Sequence, residues 1–114
     1  MSVNIQTREV DGVTVVSLAG RITLGEATGK VREAIRNLVE KGCKNLLLDL
    51  SQLEYLDSAG LGEVVGAYTT VANAGGKLKL LKVGGRALDL LQVTKMTTIF
   101  EFFETEEEAV RSFA

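Results

Sequence analysis

The chain opens with two runs in which apolar and polar positions alternate, residues 3–10 and 13–19, separated by Asp11-Gly12. A period of two marks strands, and an Asp-Gly pair suits the two-residue type I′ turn of a hairpin. In the second run Val13, Val15 and Ser17 share one face, while Val16 and Leu18 share the other. Apolar residues on both faces place this strand inside a sheet. The period then lengthens. Ala27, Val31, Ala34, Ile35 and Leu38 recur at helical spacing, which predicts a helix over about 26–41. Thr23 with Glu26 matches a capping box at its start, and Lys41-Gly42 suits its end. Leu46-Leu47-Leu48-Asp49-Leu50 then reads as a short, buried parallel strand.

Residues 51–57 read as a loop leading into a second helix over roughly 58–74, with Leu61, Val64, Val65, Tyr68 and Val71 as its core stripe and Gly75-Gly76 as its stop. The strand expected over 77–83 carries Leu78 and Leu80 on one face and Lys77 and Lys79 on the other. A third helix over about 86–93, a short strand over 99–103 and a last helix over 106–113 follow, the last with a capping box of Thr105 and Glu108. Phe100, Phe102, Phe103 and Phe113 fit core or near-core packing. The order β-β-α-β-α-β-α-β-α predicts one α/β domain over residues 1–114. Its sheet should be mixed and mostly parallel, with about five strands, an N-terminal antiparallel hairpin and about four helices.

Composition narrows the function more than the fold. With 114 residues, 46% hydrophobic and 25% charged, the chain has the make-up of one globular domain. A net charge of −2 with dispersed Lys and Arg gives no footprint for direct nucleic-acid binding. No segment resembles a secretory signal or reaches the roughly 18 apolar residues of a membrane span. The single cysteine, Cys43, cannot pair internally and reads as a half-buried loop residue, which fits a cytoplasmic location. Histidine is absent, which removes the commonest general base and metal ligand together. The reading is therefore a non-enzyme, with no catalytic residue, metal or cofactor assigned.

The chemistry concentrates in Leu56-Asp57-Ser58-Ala59-Gly60-Leu61-Gly62, between the loop and the second helix. A helix entrance leaves up to four backbone N–H groups without intrahelical partners. Ser58 is expected there as the N-cap, a role worth about 1 kcal/mol, with Asp57 as a loop or competing cap residue. A phosphoserine at this point would bring about −1.5 to −2 charges to the positive end of the helix dipole. A plain cap and a regulated phosphoacceptor both fit these residues. Gly60, Gly62 and Gly66 each cost a helix about 1 kcal/mol relative to alanine. Ala59, Gly62 and Gly66 form a flat stripe that suits close approach, either by a neighbouring helix or by a partner.

Taken with Leu46–Asp49 before it and Gly75-Gly76-Lys77-Leu78 after it, this segment resembles the STAS-domain proteins of the anti-sigma factor antagonist family. The likeness runs nearly end to end. It implies a partner that is both an anti-sigma factor and a serine kinase, bound by the unphosphorylated antagonist and released when Ser58 is phosphorylated. A serine phosphatase would restore binding. It further implies that Arg21, Thr23, Asp57, Ser58, Ala59, Gly60, Gly62, Glu63 and Gly66 form the partner-binding face, with Asp57 orienting the acceptor. Two departures stand out. Family members often carry Gly-Glu-Leu-Asp where this chain has Gly20-Arg21-Ile22-Thr23, and Ala59 replaces a frequent second hydroxyl residue.

Three other readings compete. One is a STAS module that is never phosphorylated, such as a scaffold or lipid-transport accessory domain. Another is a nucleotide-binding protein that uses the strand-to-helix turn as a phosphate cradle, although the Gly-Lys-Ser/Thr and Gly-x-Gly-x-x-Gly patterns are absent. The third is a phosphoacceptor-aspartate receiver built on Asp49 or Asp57, which would need a cluster of acids around a cation. Arg86 fits either a phosphate contact or a solvated helix start, and Glu106-Glu107-Glu108 suits the first turn of a helix.

Overall fold

The computed structural model describes residues 3–114, except for the side chain of Arg86. Strands β1 (Val3–Val10) and β2 (Val13–Ile22) form the expected antiparallel hairpin, turning through Asp11 and Gly12 at φ 50° and 81°. Helix α1 (Glu26–Glu40) follows, then β3 (Asn45–Asp49). Residues expected as loop contain a further strand, β4 (Leu53–Leu56), which feeds directly into α2 (Ser58–Asn73). The remainder is β5 (Lys77–Leu81), α3 (Gly85–Val93), one tight helical turn at Met96–Thr98, β6 (Phe102–Phe103) and α4 (Glu106–Arg111).

The described residues thus make six strands rather than about five, in the order β1-β2-β3-β5-β6 with β4 also paired to β2. Every pairing beyond the hairpin is parallel. β2 is long enough to hold two neighbours on one side. Thr14–Ser17 pair with β3, and its last residues from Gly20 to Ile22 pair with β4, with a register shift between Gly20 and Arg21. The jog between β3 and β4 is a turn in which the Ser51 N–H donates to Asp49 Oδ1 (3.0 Å) and Leu53 N–H to the Leu50 carbonyl (3.2 Å). Its consequence is positional. Ile22 ends opposite Leu56, so the entrance of α2 sits where β2 stops.

The two faces of the sheet are covered unequally. Val16, Leu18, Ile22, Leu46, Leu48 and Leu80 pack with Val31 and Ile35 of α1, Leu61, Val64 and Val71 of α2, and Leu91 of α3. The opposite face buries Val13, Val15, Leu47 and Leu81 beneath Ala109 and Val110 of α4. The division of β2 into two apolar faces is the one its alternation predicts.

Lys79 departs from the alternation reading. It stands on the face expected to be polar, yet is only 4% exposed because α4 covers it. Its ammonium donates to the Ser112 carbonyl and hydroxyl, both at 3.0 Å, just past the end of α4. The Phe113 ring centroid lies 4.6 Å away, and Glu101 is 3.6 Å away. A cation at a helix C-terminus also meets the negative end of its dipole. At the other end, Arg8 of β1 pairs in bidentate fashion with Glu106, holding that carboxyl below its usual pKa through the side-chain hydrogen bonds. α4 is therefore pinned at both ends across a small apolar contact. Lys79→Ala should lower unfolding free energy by about 3 kcal/mol, since it removes charge-assisted bonds from a buried site. Lys79→Met, which keeps an apolar stem, should lose less. Urea denaturation of both variants measures the difference.

Candidate functional site

At the end of β4 the chain must leave the sheet and enter α2 without stranding backbone donors. Asp57 solves this, and in doing so replaces Ser58 in the role expected of it. Asp57 is the N-cap: its backbone is extended (φ −98°, ψ −173°) and its Oδ1 accepts from Gly60 N–H at 2.8 Å. Its carbonyl accepts the Leu61 N–H at 2.9 Å, and its own N–H donates to the Ile22 carbonyl at 3.3 Å. The second carboxylate oxygen, Oδ2, accepts from Leu24 N–H at 3.1 Å, reaching into the loop between β2 and α1. These backbone bonds, Gly60 first and Leu24 next, hold the Asp57 carboxyl below the usual carboxylate range.

Ser58 is consequently the first residue of the helix, exposed, with its side chain hydrogen-bonded to no described residue. Both Asp and Ser are strong caps, so sequence alone leaves the choice between them open. The geometry decides it, because the carboxylate can serve two elements at once.

The three glycines of the segment divide by environment. Gly60 is buried, and a Cβ there would run into the Ile22 carbonyl oxygen while lying 3.0 Å from Leu56 Cβ. Its lack of a side chain thus serves packing inside the domain, and a partner has no access to it. Gly62 and Gly66 are exposed, and a Cβ at either meets nothing within 4 Å. α1 does not require them. They border a shallow groove between α1 and α2, with Arg32, Ile35 and Arg36 on its far wall. Ala59 is half-buried beside the entrance.

Glu63, expected on the partner-binding face, reaches across this groove to Arg32. Arg32 Nε donates to its Oε1 (3.2 Å) and Arg32 Nη2 to its Oε2 (2.6 Å). Thr23 does not cap α1. Gly25 does, with Thr28 Oγ1 accepting from the Gly25 N–H (3.2 Å) and donating to its carbonyl (2.9 Å). The physical reason is the Leu24–Asp57 bond, which takes the chain past Thr23 before the helix begins. Arg21 pairs with Tyr55 in the sheet and stacks over its ring at 4.5 Å. Because neighbours alternate, this pair faces away from Ile22 and Leu56, and so away from α2. The structure thus gathers Leu24, Asp57 and Ser58 at the helix entrance, with Gly62 and Gly66 further along the exposed side of α2, and sets Arg21 apart. Leu24 carried no sequence signal beyond being apolar.

Neither Asp49 nor Asp57 enters an acidic cluster. Asp49 closes its own turn, Asp57 caps α2, and no metal-binding group of three or more His, Cys, Asp or Glu occurs among the described residues. The side chain of Arg86 lies outside the described residues.

Two outcomes follow from these environments. Gly60→Ala should cost about 1–3 kcal/mol by overpacking, whereas Gly62→Ala should stabilise by up to about 1 kcal/mol, because it fills open space and favours helix; chemical denaturation reads both. The depressed Asp57 pKa means the folded state prefers the ionised carboxylate. Its stabilisation is complete above the unfolded value of 3.8 and is lost as pH falls through the lower folded value. Asp57→Asn should therefore be less stable near neutrality and show a shallower acid limb when melting temperature is followed from pH 7 to pH 2.

Comparison with known proteins agrees with the geometry. A STAS domain family model matches residues 4–109. An anti-sigma-B factor antagonist of Bacillus subtilis (strain 168) is 31% identical over 97% of this chain and 100% of its own length. In three dimensions, a putative anti-sigma factor antagonist from Thermotoga maritima superposes with a TM-score of 0.87 at 22% identity, over 96% of this chain and 93% of that one. The phosphorylated form of the Bacillus cell fate determinant SpoIIAA gives 0.76 at 22% identity, over 97% and 100%. These last two likenesses speak for the fold. With the match of the family model over most of its length, this chain belongs to the STAS domain family.

Proposed function

We propose that this chain is a bacterial, cytoplasmic anti-sigma factor antagonist, not an enzyme, whose binding is switched at Ser58. The unmodified protein docks on an anti-sigma factor that is also a serine kinase, transfer of phosphate to Ser58 Oγ ends the complex, and a serine phosphatase restores it. The observation that carries this reading is the state of that hydroxyl. It is exposed at the start of α2 and hydrogen-bonded to none of the described residues. A cap serine would already be engaged. This one is held in place by a neighbour that does the capping.

The same arrangement sets the physical form of the switch. The Gly60 N–H is occupied by Asp57, so a phosphate on Ser58 displaces no cap and projects from a helix that is already complete. The change is in surface charge. A phosphoryl group adds about −1.5 to −2 charges beside an ionised carboxylate. A partner matched to the neutral hydroxyl must then desolvate that anion, a cost of several kcal/mol when it is left unpaired. Thr23, Asp57, Ala59, Gly62, Glu63 and Gly66 complete the docking face in this reading, with Gly60 holding the helix entrance against β2. Arg21, stacked on Tyr55 and turned away from α2, lies outside that face. Among the described residues no helix is long and apolar enough to cross a membrane.

The relatives named anti-sigma factor antagonists favour this reading over an unphosphorylated STAS module. The discriminating experiment incubates the purified chain with ATP and each kinase-type anti-sigma factor of its genome. A single phosphate mass shift mapping to Ser58 is expected. In pull-down, Ser58→Ala should bind as well as wild type and stay bound in ATP, whereas Ser58→Asp should bind on the order of 100-fold more weakly. Wild-type binding by both variants, with no mass shift, would leave the module reading in its place.

A further inference from the structure

Among the described residues two large hydrophobic side chains stand in solvent, Leu24 and Val93, each 79% exposed. A single exposed leucine is ordinary on a protein surface. Leu24 differs because the backbone on both sides of it is fixed. Its own N–H donates to Asp57 Oδ2 at 3.1 Å, and the next N–H, of Gly25, donates to Thr28 Oγ1 at 3.2 Å. Gly25 has φ 122°, a conformation that side-chain-bearing residues rarely adopt, and this bend carries the chain from the loop into α1. The leucine is thus presented outward by a braced loop. Val93, the last residue of α3, has no tie of this kind to the Ser58 site.

The brace on Leu24 is the carboxylate that caps α2. One oxygen of Asp57 fixes the loop and the other fixes the first turn of the helix that starts with Ser58. The exposed Leu24 and the exposed Ser58 therefore flank one carboxylate, which ties the loop of the first to the helix start of the second. With 79% of Leu24 exposed, most of its apolar surface is available for burial by a partner. Burying a leucine is worth a large share of a hot-spot residue's contribution, and a braced loop loses little conformational entropy when it docks.

We propose that Leu24 is the apolar anchor of the docking face, inserted into a nonpolar pocket that the anti-sigma factor presents next to the surface receiving Ser58. This rests on the reading of Ser58 as the switch of that face. Anchor and switch then divide the work: the leucine supplies affinity, and the charge state of the serine decides whether the surfaces can close. Asp57 is the positioning residue that keeps the two in register.

The test is calorimetric titration of the anti-sigma factor with wild type, Leu24→Ala, Leu24→Met and Ser58→Asp. Leu24→Ala should bind about 10- to 100-fold more weakly at an unchanged melting temperature, and Leu24→Met should stay within a few-fold of wild type. The Leu24 methyl resonances of the wild-type chain, which need no variant, should shift on complex formation. Leu24→Ala binding like wild type, or methyl signals untouched by the partner, overturns the proposal. Should Ser58→Asp be released while Leu24→Ala binds normally, the anchor fails and the switch stands. The reverse pattern keeps the anchor and removes the switch.

Discussion

The constraint on which the rest of this molecule depends is a single carboxylate that serves two elements. Asp57 closes the first turn of α2 with one oxygen and secures the loop after β2 with the other. Both acceptors face backbone N–H groups, so the interaction is indifferent to the side chains around it and asks only that the two elements start from one place. The sheet supplies that condition. β2 is long enough to carry β3 and then β4, and Leu56 ends level with Ile22. Gly60 lets the helix entrance come down onto the Ile22 carbonyl. Remove any of these and the carboxylate cannot reach both partners.

From this constraint the freedom of Ser58 follows. A helix start often recruits a nearby hydroxyl or carboxylate as its cap. Assigning the cap to the preceding residue places the serine at the first helical position, in solvent. The proposed switch at Ser58 needs no second conformation of the domain. The energy resides in what the partner must do with the added anion.

Much of this architecture was legible in the sequence, and what was not has physical reasons. The hairpin, α1, α2 and the two-faced character of β2 all follow from periodicity, because burial on one or both sides leaves its mark on every second or every third and fourth residue. β4 did not, since Leu53–Leu56 is four residues long, includes an exposed Glu54 and is defined by pairing with a strand distant in sequence. Lys79 is a buried cation on a face where alternation predicts solvent, and only the docking of α4 explains it. Ser58 and Asp57 are equally good caps on paper. Gly60 and Gly62 look alike in the chain, yet one is required by a carbonyl oxygen and the other stands in open space. Long-range contacts decided each of these cases.

The account turns on whether the charge on one exposed oxygen governs docking. The most direct measurement compares the unmodified chain with the same chain phosphorylated enzymatically at Ser58, each titrated into the anti-sigma factor at fixed ionic strength and checked for an unchanged fold by circular dichroism. Binding by the unmodified form and a loss on the order of 100-fold for the phosphorylated form are expected, with the two spectra superimposing. Equal affinity of the two forms would contradict it.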